Sequence, residues 1–543
     1  MRSVRFFIMG LVVACASMAA AQGLVDKHLA EVSIADLHRM YAKRAVTVEQ
    51  VVRWYIARVE KLDGRTRAFI FLDKEGALRE ARRLDGEGKT ERLRGALWGV
   101  PVVVKANTSV KGWVTSAGWD GYTVKGRELV APKDAMVVRH LRAAGAVLLG
   151  QTNMPDFAGS DTNVSSAGGR TGNVYDVRFS PGGSSGGTAV AVSANFAVVG
   201  TGTDTSNSIR NPGADNGVVG ILPSRGLTSI AGIQPLDWLR DNTGPIARTV
   251  TDAAVMLEAM TSEGVGVDPL DMRNVDCRAV KDCGPYTQFL KKDALKGKRL
   301  GVPAFVLAGE GDAGPEYWNG GTSPETRAVF MKALDELRAA GAEIVVSNDL
   351  LPATDFVRAY RAIEMEPFRA QGNREFLKNF GREAEPAYHS PEELTAVTGR
   401  EIWPRLMGMG KVKTPQIELK PEAAHDAESE RMFWGPQRRA RAIYDEALTK
   451  WKLDGLVYPA VQVSPRDETQ PLPKNYPSDG PYTETGWVNR IGVPAVEVPG
   501  GWYANGLPFG LEFSGRRWRD GEAIGWAFAY EQATRHRKMP VVR

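Results

Sequence analysis

The chain has 543 residues, 43% of them hydrophobic and 24% charged, with a formal net charge of +5. This is the composition of a soluble globular protein with a large core, and it excludes extensive disorder or a low-complexity fibre. The charge is too balanced to mark a nucleic-acid binder, while the length allows several domains or one large α/β body.

The first element is Met1-Arg2-Ser3-Val4-Arg5, followed by an apolar run from Phe6 to Met18 and by Ala19-Ala20-Ala21 before Gln22. A basic start, a hydrophobic stretch and a small-residue cleavage site predict a secretory signal over residues 1–21 and a mature chain over 22–543. The stretch Phe6–Ala21 has 16 residues, short of the roughly 20 a membrane-crossing helix needs, so no membrane span is expected. A lesser alternative reads Val12-Val13-Ala14-Cys15 as a lipoprotein processing site that leaves Cys15 lipidated. Losing the signal removes two arginines and no acid, taking the formal charge from +5 to +3. Only Cys277 and Cys283 then remain. In an exported chain two cysteines at loop spacing predict a disulfide, and without neighbouring histidines they make a poor zinc site. No metal is expected.

From Val32 to Lys61 the apolar residues take helical spacing in two segments, Ile34, Leu37 and Met40, then Val48, Val51, Tyr55 and Val59. Trp98-Gly99-Val100-Pro101-Val102-Val103-Val104 and Ala146-Val147-Leu148-Leu149-Gly150 read as buried strands around a helix at Ala135–Ala144. Buried strands alternating with helices predict an α/β fold with a mixed, mostly parallel central sheet covered by helices. Lys105 ends the first of these strands. A lysine there is not a solvated surface charge, and desolvation makes it give up its proton more readily.

Ser180-Pro181-Gly182-Gly183-Ser184-Ser185-Gly186-Gly187 comes next. In isolation it reads as a flexible linker. The run Ala189–Val199 behind it is apolar and helix-compatible, which places the glycine turn directly before a buried element, where backbone can approach a ligand closely. A second polar turn, Gly202-Thr203-Asp204-Thr205-Ser206-Asn207-Ser208-Ile209-Arg210-Asn211-Pro212, follows. From about Pro324 to Lys452 the chain is mostly helix-forming and punctuated by Phe356, Tyr360, Trp403, Phe433 and Trp434, a helical excursion whose aromatics are expected to pack in a core. Strand signals return at Gly455-Leu456-Val457-Tyr458 and Ala495-Val496-Glu497-Val498.

The six histidines, His28, His38, His140, His389, His425 and His536, stand in no Gly-rich turn, HExxH or HxH setting, and no G-x-S-x-G elbow is present. A histidine-based triad is therefore not expected.

The Lys105 strand and the two polar turns, in that order, resemble the amidase signature family. Gly150-Gln151-Thr152-Asn153-Met154-Pro155, Val219–Gly226, Asp241–Thr249, Gly492–Ala495, Gly506–Gly510 and Tyr530–Thr534 resemble it too, so the likeness covers nearly everything after the signal and is weakest from about Met260 to Lys450. The resemblance implies one large domain, with Ser208 as nucleophile, Ser184 as bridging serine and Lys105 as base, and with a cis peptide between Gly183 and Ser184. Backbone amides of Thr205, Ser206, Asn207 and Ser208 would form the oxyanion hole, and Ala158, Gly159 and Ser160 would line the substrate pocket. Asp204 and Arg210 match family positions and either brace the turn or form an ordinary local ion pair. Two departures stand out: Ser206-Asn207 replaces the common Gly-Gly before the nucleophile, and Ala106 replaces a common aspartate.

The expected function is hydrolysis of a small or short-peptide carboxamide through an acyl-enzyme on Ser208, with no cofactor. The alternatives are the glutamine-hydrolysing subunit of an amidotransferase, or an esterase or carbamate hydrolase on the same scaffold. The expected location is periplasmic or secreted.

Overall fold

The computed structural model describes residues 29–87, 95–261, 268–280, 282–307, 322–409, 415–420, 422–471 and 485–542. The signal region and Cys15 lie outside them.

Local sequence sets the helices. Thr47 caps Val48–Thr66 in a reciprocal capping box with Gln50, and Ser33 caps Ile34–Ala42 through the Asp36 amide. Each cap satisfies amides that the first helical turn leaves orphaned. The buried stripe of the longer helix, Val48, Val51, Val52, Tyr55, Ile56 and Val59, repeats at the three- and four-residue spacing of one helix face.

The strands are β1 (Phe69–Leu72), β2 (Pro101–Lys105), β3 (Val147–Thr152), β4 (Val164–Ser165), β5 (Gly169–Arg170), β6 (Val199–Asp204) and β7 (Val219–Leu222). After them come β8 (Asn242–Ala247), β9 (Arg299–Pro303), β10 (Glu343–Ser347), β11 (Gly455–Pro459), β12 (Ala495–Trp502) and β13 (Pro508–Ser514). Eleven form one sheet in the order β1-β3-β2-β6-β8-β7-β12-β13-β11-β9-β10, and β4 and β5 pair separately. The sheet is mixed. β2 runs parallel to β3 and β6, and β9 parallel to β10 and β11, while the pairs from β6 through β11 are antiparallel. β2, β3, β6, β7, β8 and β11 are buried along their whole length, as helices on a sheet require.

Two expectations need adjusting. The apolar run Ala189–Val199 is not one element: the helix Gly186–Ser193 ends, Asn195 takes a left-handed φ of 60°, and β6 begins at Val199. Asparagine tolerates that conformation, and the β-branched Val198-Val199 that follows suits a strand. The helical excursion contains β10, which was not expected; it adds to the sheet edge parallel to β9. Its aromatics pack as anticipated. Phe356, Tyr360 and Phe433 are buried in a second core with Phe305, Tyr444, Tyr458 and Trp487, where Phe356 meets Trp487 edge-on at 5.4 Å.

Candidate active site

Lys105, Ser184 and Ser208 are brought together where β2 and β6 end. The parallel pairing of these strands sets Lys105 beside Thr203, and the helix Gly186–Ser193 aims its leading loop at the same point. Two close approaches hold that loop. A Cβ on Gly187 would meet the Asn153 and Ala68 carbonyl oxygens at 2.3 and 2.7 Å, and one on Gly183 would meet the Thr162 carbonyl oxygen at 2.4 Å. Only glycine fits either place. The Gly183–Ser184 peptide is cis.

Lys105 is fully buried. Its Nζ lies 2.7 Å from Ser184 Oγ, 2.8 Å from Thr203 Oγ1, 2.9 Å from Ser185 Oγ and 3.5 Å from the Thr203 carbonyl oxygen. Burial lowers its pKa to about 7, against the pull of Asp241 and Asp204, which favour the cation. A neutral amine keeps two protons and one lone pair. With the protons directed to Ser185 and Thr203, the lone pair is left for the Ser184 hydroxyl.

Ser208 is buried at 4% exposure. Its hydroxyl makes no hydrogen bond among the described residues, and the two serine loops are joined instead by the Ser185 amide donating to the Ser208 carbonyl at 3.2 Å. Among the described residues the backbone amides of Thr205, Ser206, Asn207 and Ser208 also reach no acceptor, whereas the next amide, Ile209, donates to Asp204 at 3.1 Å. Free amides on the turn that carries a serine are chemically suited to holding an oxyanion. The Thr205 side chain is tied down, donating to Asp241 at 2.6 Å. Burial raises the Asp241 carboxyl to about 6.

Asp204 and Arg210 form more than a local pair. Both are fully buried, with Arg210 Nε 3.2 Å from Asp204 and Nη1 2.6 Å from Glu512 on β13. Arg210 also donates to the Ser206 carbonyl, and Asn489 donates to the Asp204 carbonyl at 2.7 Å. Tyr458 completes the cluster with a 2.9 Å bond to Glu512.

Ala158, Gly159 and Ser160 border the cis-serine loop. The Ser160 carbonyl oxygen lies 2.8 Å from the place a Gly183 Cβ would take, and Gly159 faces the Trp403 ring. Ala158 packs with Ala106 and Met154, so the alanine that replaces a common family aspartate sits in an apolar contact. Ser206 abuts Gly486, and Asn207 Oδ1 is buried without a partner. No histidine hydrogen-bonds to Lys105, Ser184 or Ser208 among the described residues; His140 is bonded to the Met260 carbonyl at 3.2 Å. Cys277 and Cys283 form the expected disulfide. Sequence reasoning left Ser185, Thr203, Asp241, Asn489 and Glu512 without a role. Ser185 and Thr203 lie inside the two turns already singled out, and the strand pairing could have supplied the signal for Thr203.

The fold and this site match known proteins. A family model described as Amidase matches residues 50–524. A glutamyl-tRNA(Gln) amidotransferase subunit from Alkaliphilus metalliredigens is 32% identical over 512 residues, 92% of this chain and 96% of that protein. Among solved structures, the native peptide amidase of Stenotrophomonas maltophilia is 32% identical with a TM-score of 0.74, covering 94% of this chain and 99% of the other. An amidase family protein of Bacillus anthracis is 26% identical with a TM-score of 0.72, covering 96% and 94%. The chain belongs to the amidase signature family. Within that class it is an amide-hydrolysing enzyme.

Proposed function

We propose that the protein hydrolyses carboxamides through an acyl-enzyme on Ser208, with Lys105 as base and Ser184 as proton relay. The observation that carries this is the 2.7 Å contact between a fully buried lysine and the Ser184 hydroxyl. Neutral Lys105 takes the Ser184 proton, Ser184 takes that of Ser208, and Ser208 attacks the amide carbonyl. The free amides of Ser206, Asn207 and Ser208 receive the carbonyl oxygen as it gains charge, each donor being worth about 3 kcal/mol. The proton then returns along the same path to the leaving nitrogen, and water releases the acid. The Ser208 hydroxyl has to turn toward Ser184 when substrate binds, a tightening common on going from free enzyme to complex.

Ala158, Gly159 and Ser160 form one wall of the acyl pocket. The likeness to peptide amidase supports small or short-peptide amides as substrates. The same acyl-enzyme would serve esters and carbamates. The Cys277–Cys283 bridge and the basic-apolar-small pattern of residues 1–21 support export to an oxidising compartment rather than assembly into an intracellular amidotransferase. Among the described residues no helix is long and apolar enough to cross a membrane.

The test is ammonia or amine release from aliphatic, aromatic, amino-acid and peptide amides, paired with fluorophosphonate labelling. Turnover and labelling that both vanish in Ser208→Ala are expected. Undiminished turnover in that variant would refute the assignment.

A further inference from the structure

Arg240 carries a charge that no acceptor of the protein meets directly among the described residues. Its guanidinium is half-buried and its Nε is buried without a hydrogen-bond partner. None of its nitrogens reaches a hydrogen-bond or ion-pair acceptor among the described residues. An arginine removed from water without an anion is unfavourable. Arg490 and Arg369 add like charge around it, while Asp237 and Asp241 oppose them. Asp237 accepts from Arg369 Nε at 3.1 Å through one oxygen and keeps its Oδ1 without a hydrogen-bond partner, and Asp241 accepts from the Thr205 hydroxyl and from the Leu236 amide at 2.9 Å, so three guanidinium groups share two carboxylates. Arg490 has no carboxylate partner among the described residues either; it donates to the Tyr360 carbonyl at 3.4 Å and lies over the Tyr360 ring.

The position of this charge is what gives it meaning. β6 and β8 pair with Asp204 opposite Asn242. Continuing that register past the strand ends sets Asp241 level with Thr205, where the hydrogen bond is found, and Arg240 level with Ser206. From the other side, a Cβ on Gly486 would lie 2.5 Å from Ser206 Oγ, and Arg490 follows one turn along the helix Gly486–Ile491. The extrapolated register carries Arg240 toward Ser206, two residues ahead of Ser208, and the helix carries Arg490 toward the same turn. The loop that carries Arg240 also supplies Leu236, which packs against the cluster of Ala106, Met154 and Ala158, so it borders the wall assigned above to the acyl pocket.

We propose that Arg240, with Arg490 beside it, forms a carboxylate-binding subsite at the nucleophile turn, and that the enzyme prefers amides whose acyl portion carries a carboxylate. A carboxylate fits the planar guanidinium fork with two parallel charge-assisted hydrogen bonds and offsets the excess of arginines over acids around it. The proposal rests on the reading of Ser208 as nucleophile.

The experiment compares kcat/KM for ammonia release by the purified full chain from succinamate and glutaramate with that from butanamide and pentanamide. Wild type is expected to favour the charged member of a pair by about 10-fold or more, and Arg240→Gln to lower that ratio by about 10-fold, chiefly through KM of the charged substrate. Arg490→Gln should lower it less. Should Arg240→Gln not fold, judged by melting and by fluorophosphonate labelling of Ser208, Arg240→Lys takes its place; it keeps the charge, loses the fork and should still reduce the ratio. Equal kcat/KM for charged and neutral amides in wild type, or an unchanged ratio in the folded variants, overturns the subsite. Turnover and Ser208 labelling that persist in that event leave the nucleophile assignment standing, whereas loss of both in wild type removes the two together.

Discussion

At Lys105 a single ionisation links chemistry to stability. The proposed base works only when neutral, so with its pKa brought down to about 7 the kcat/KM profile should climb with pH through a midpoint near 7 and level off above it. Asp241 holds the lysine pKa up. Asp241→Asn should therefore move that midpoint to lower pH, a shift a pH–rate profile reads directly. The sign for folding follows from the same value. The unfolded chain binds the lysine proton up to the ordinary value of 10.5 and the folded chain releases it near 7, so this group favours folding more as pH rises between those limits. Its contribution is full above 10.5 and is lost as pH falls through 7. Urea titrations at several pH values should show that slope flattened in Lys105→Met, together with a loss of turnover of about 10³-fold or more. The motifs that hold Lys105, Ser184 and Ser208 stood out in the sequence as a lysine closing a buried strand and two polar turns, while the roles proposed for them came from the family resemblance. Thr203, Ser185 and Asp241 were not assigned, since their place around the amine depends on which residues strand pairing sets opposite Lys105.

At the level of elements, the nucleophile turn is held from outside by strands far away in sequence. Arg210 joins Asp204 to Glu512 across 302 residues, and all three side chains are fully buried. Removing the cation leaves two acids without it, so Arg210→Met should cost about 3–5 kcal/mol in denaturant unfolding. A smaller loss, under about 1 kcal/mol, would mean that Glu512 takes up a proton instead. Burial already raises Glu512 to about 7. Capped amphipathic helices such as Val48–Thr66 and runs such as Val102-Val103-Val104 were legible because period and capping are local. The break at Asn195 was not, because small apolar residues on both sides suit helix and strand alike. β10 was missed for a related reason: it is five residues long, only partly covered and placed at the sheet edge, so its pattern lacks the buried signature of the central strands.

At the scale of the whole molecule, the disulfide lies outside the stretch of sequence that holds Lys105, Ser184 and Ser208. Cys277–Cys283 closes a loop of sequence separation 6, and chain-entropy reasoning gives such a loop about 2 kcal/mol. Reduction or Cys283→Ser should lower the melting temperature by about 2 °C in a chain this long while leaving amide turnover in place. A large loss of turnover would show that the loop supports the site. The residues proposed to perform chemistry lie between Lys105 and Ser208, whereas Asn489 and Glu512, which brace the turn, come near the C-terminus. A chain emerging from the ribosome thus presents its lysine and both serines hundreds of residues before the bracing is made, and a chain cut short ahead of β13 lacks the Glu512 brace on the Ser206–Ser208 turn.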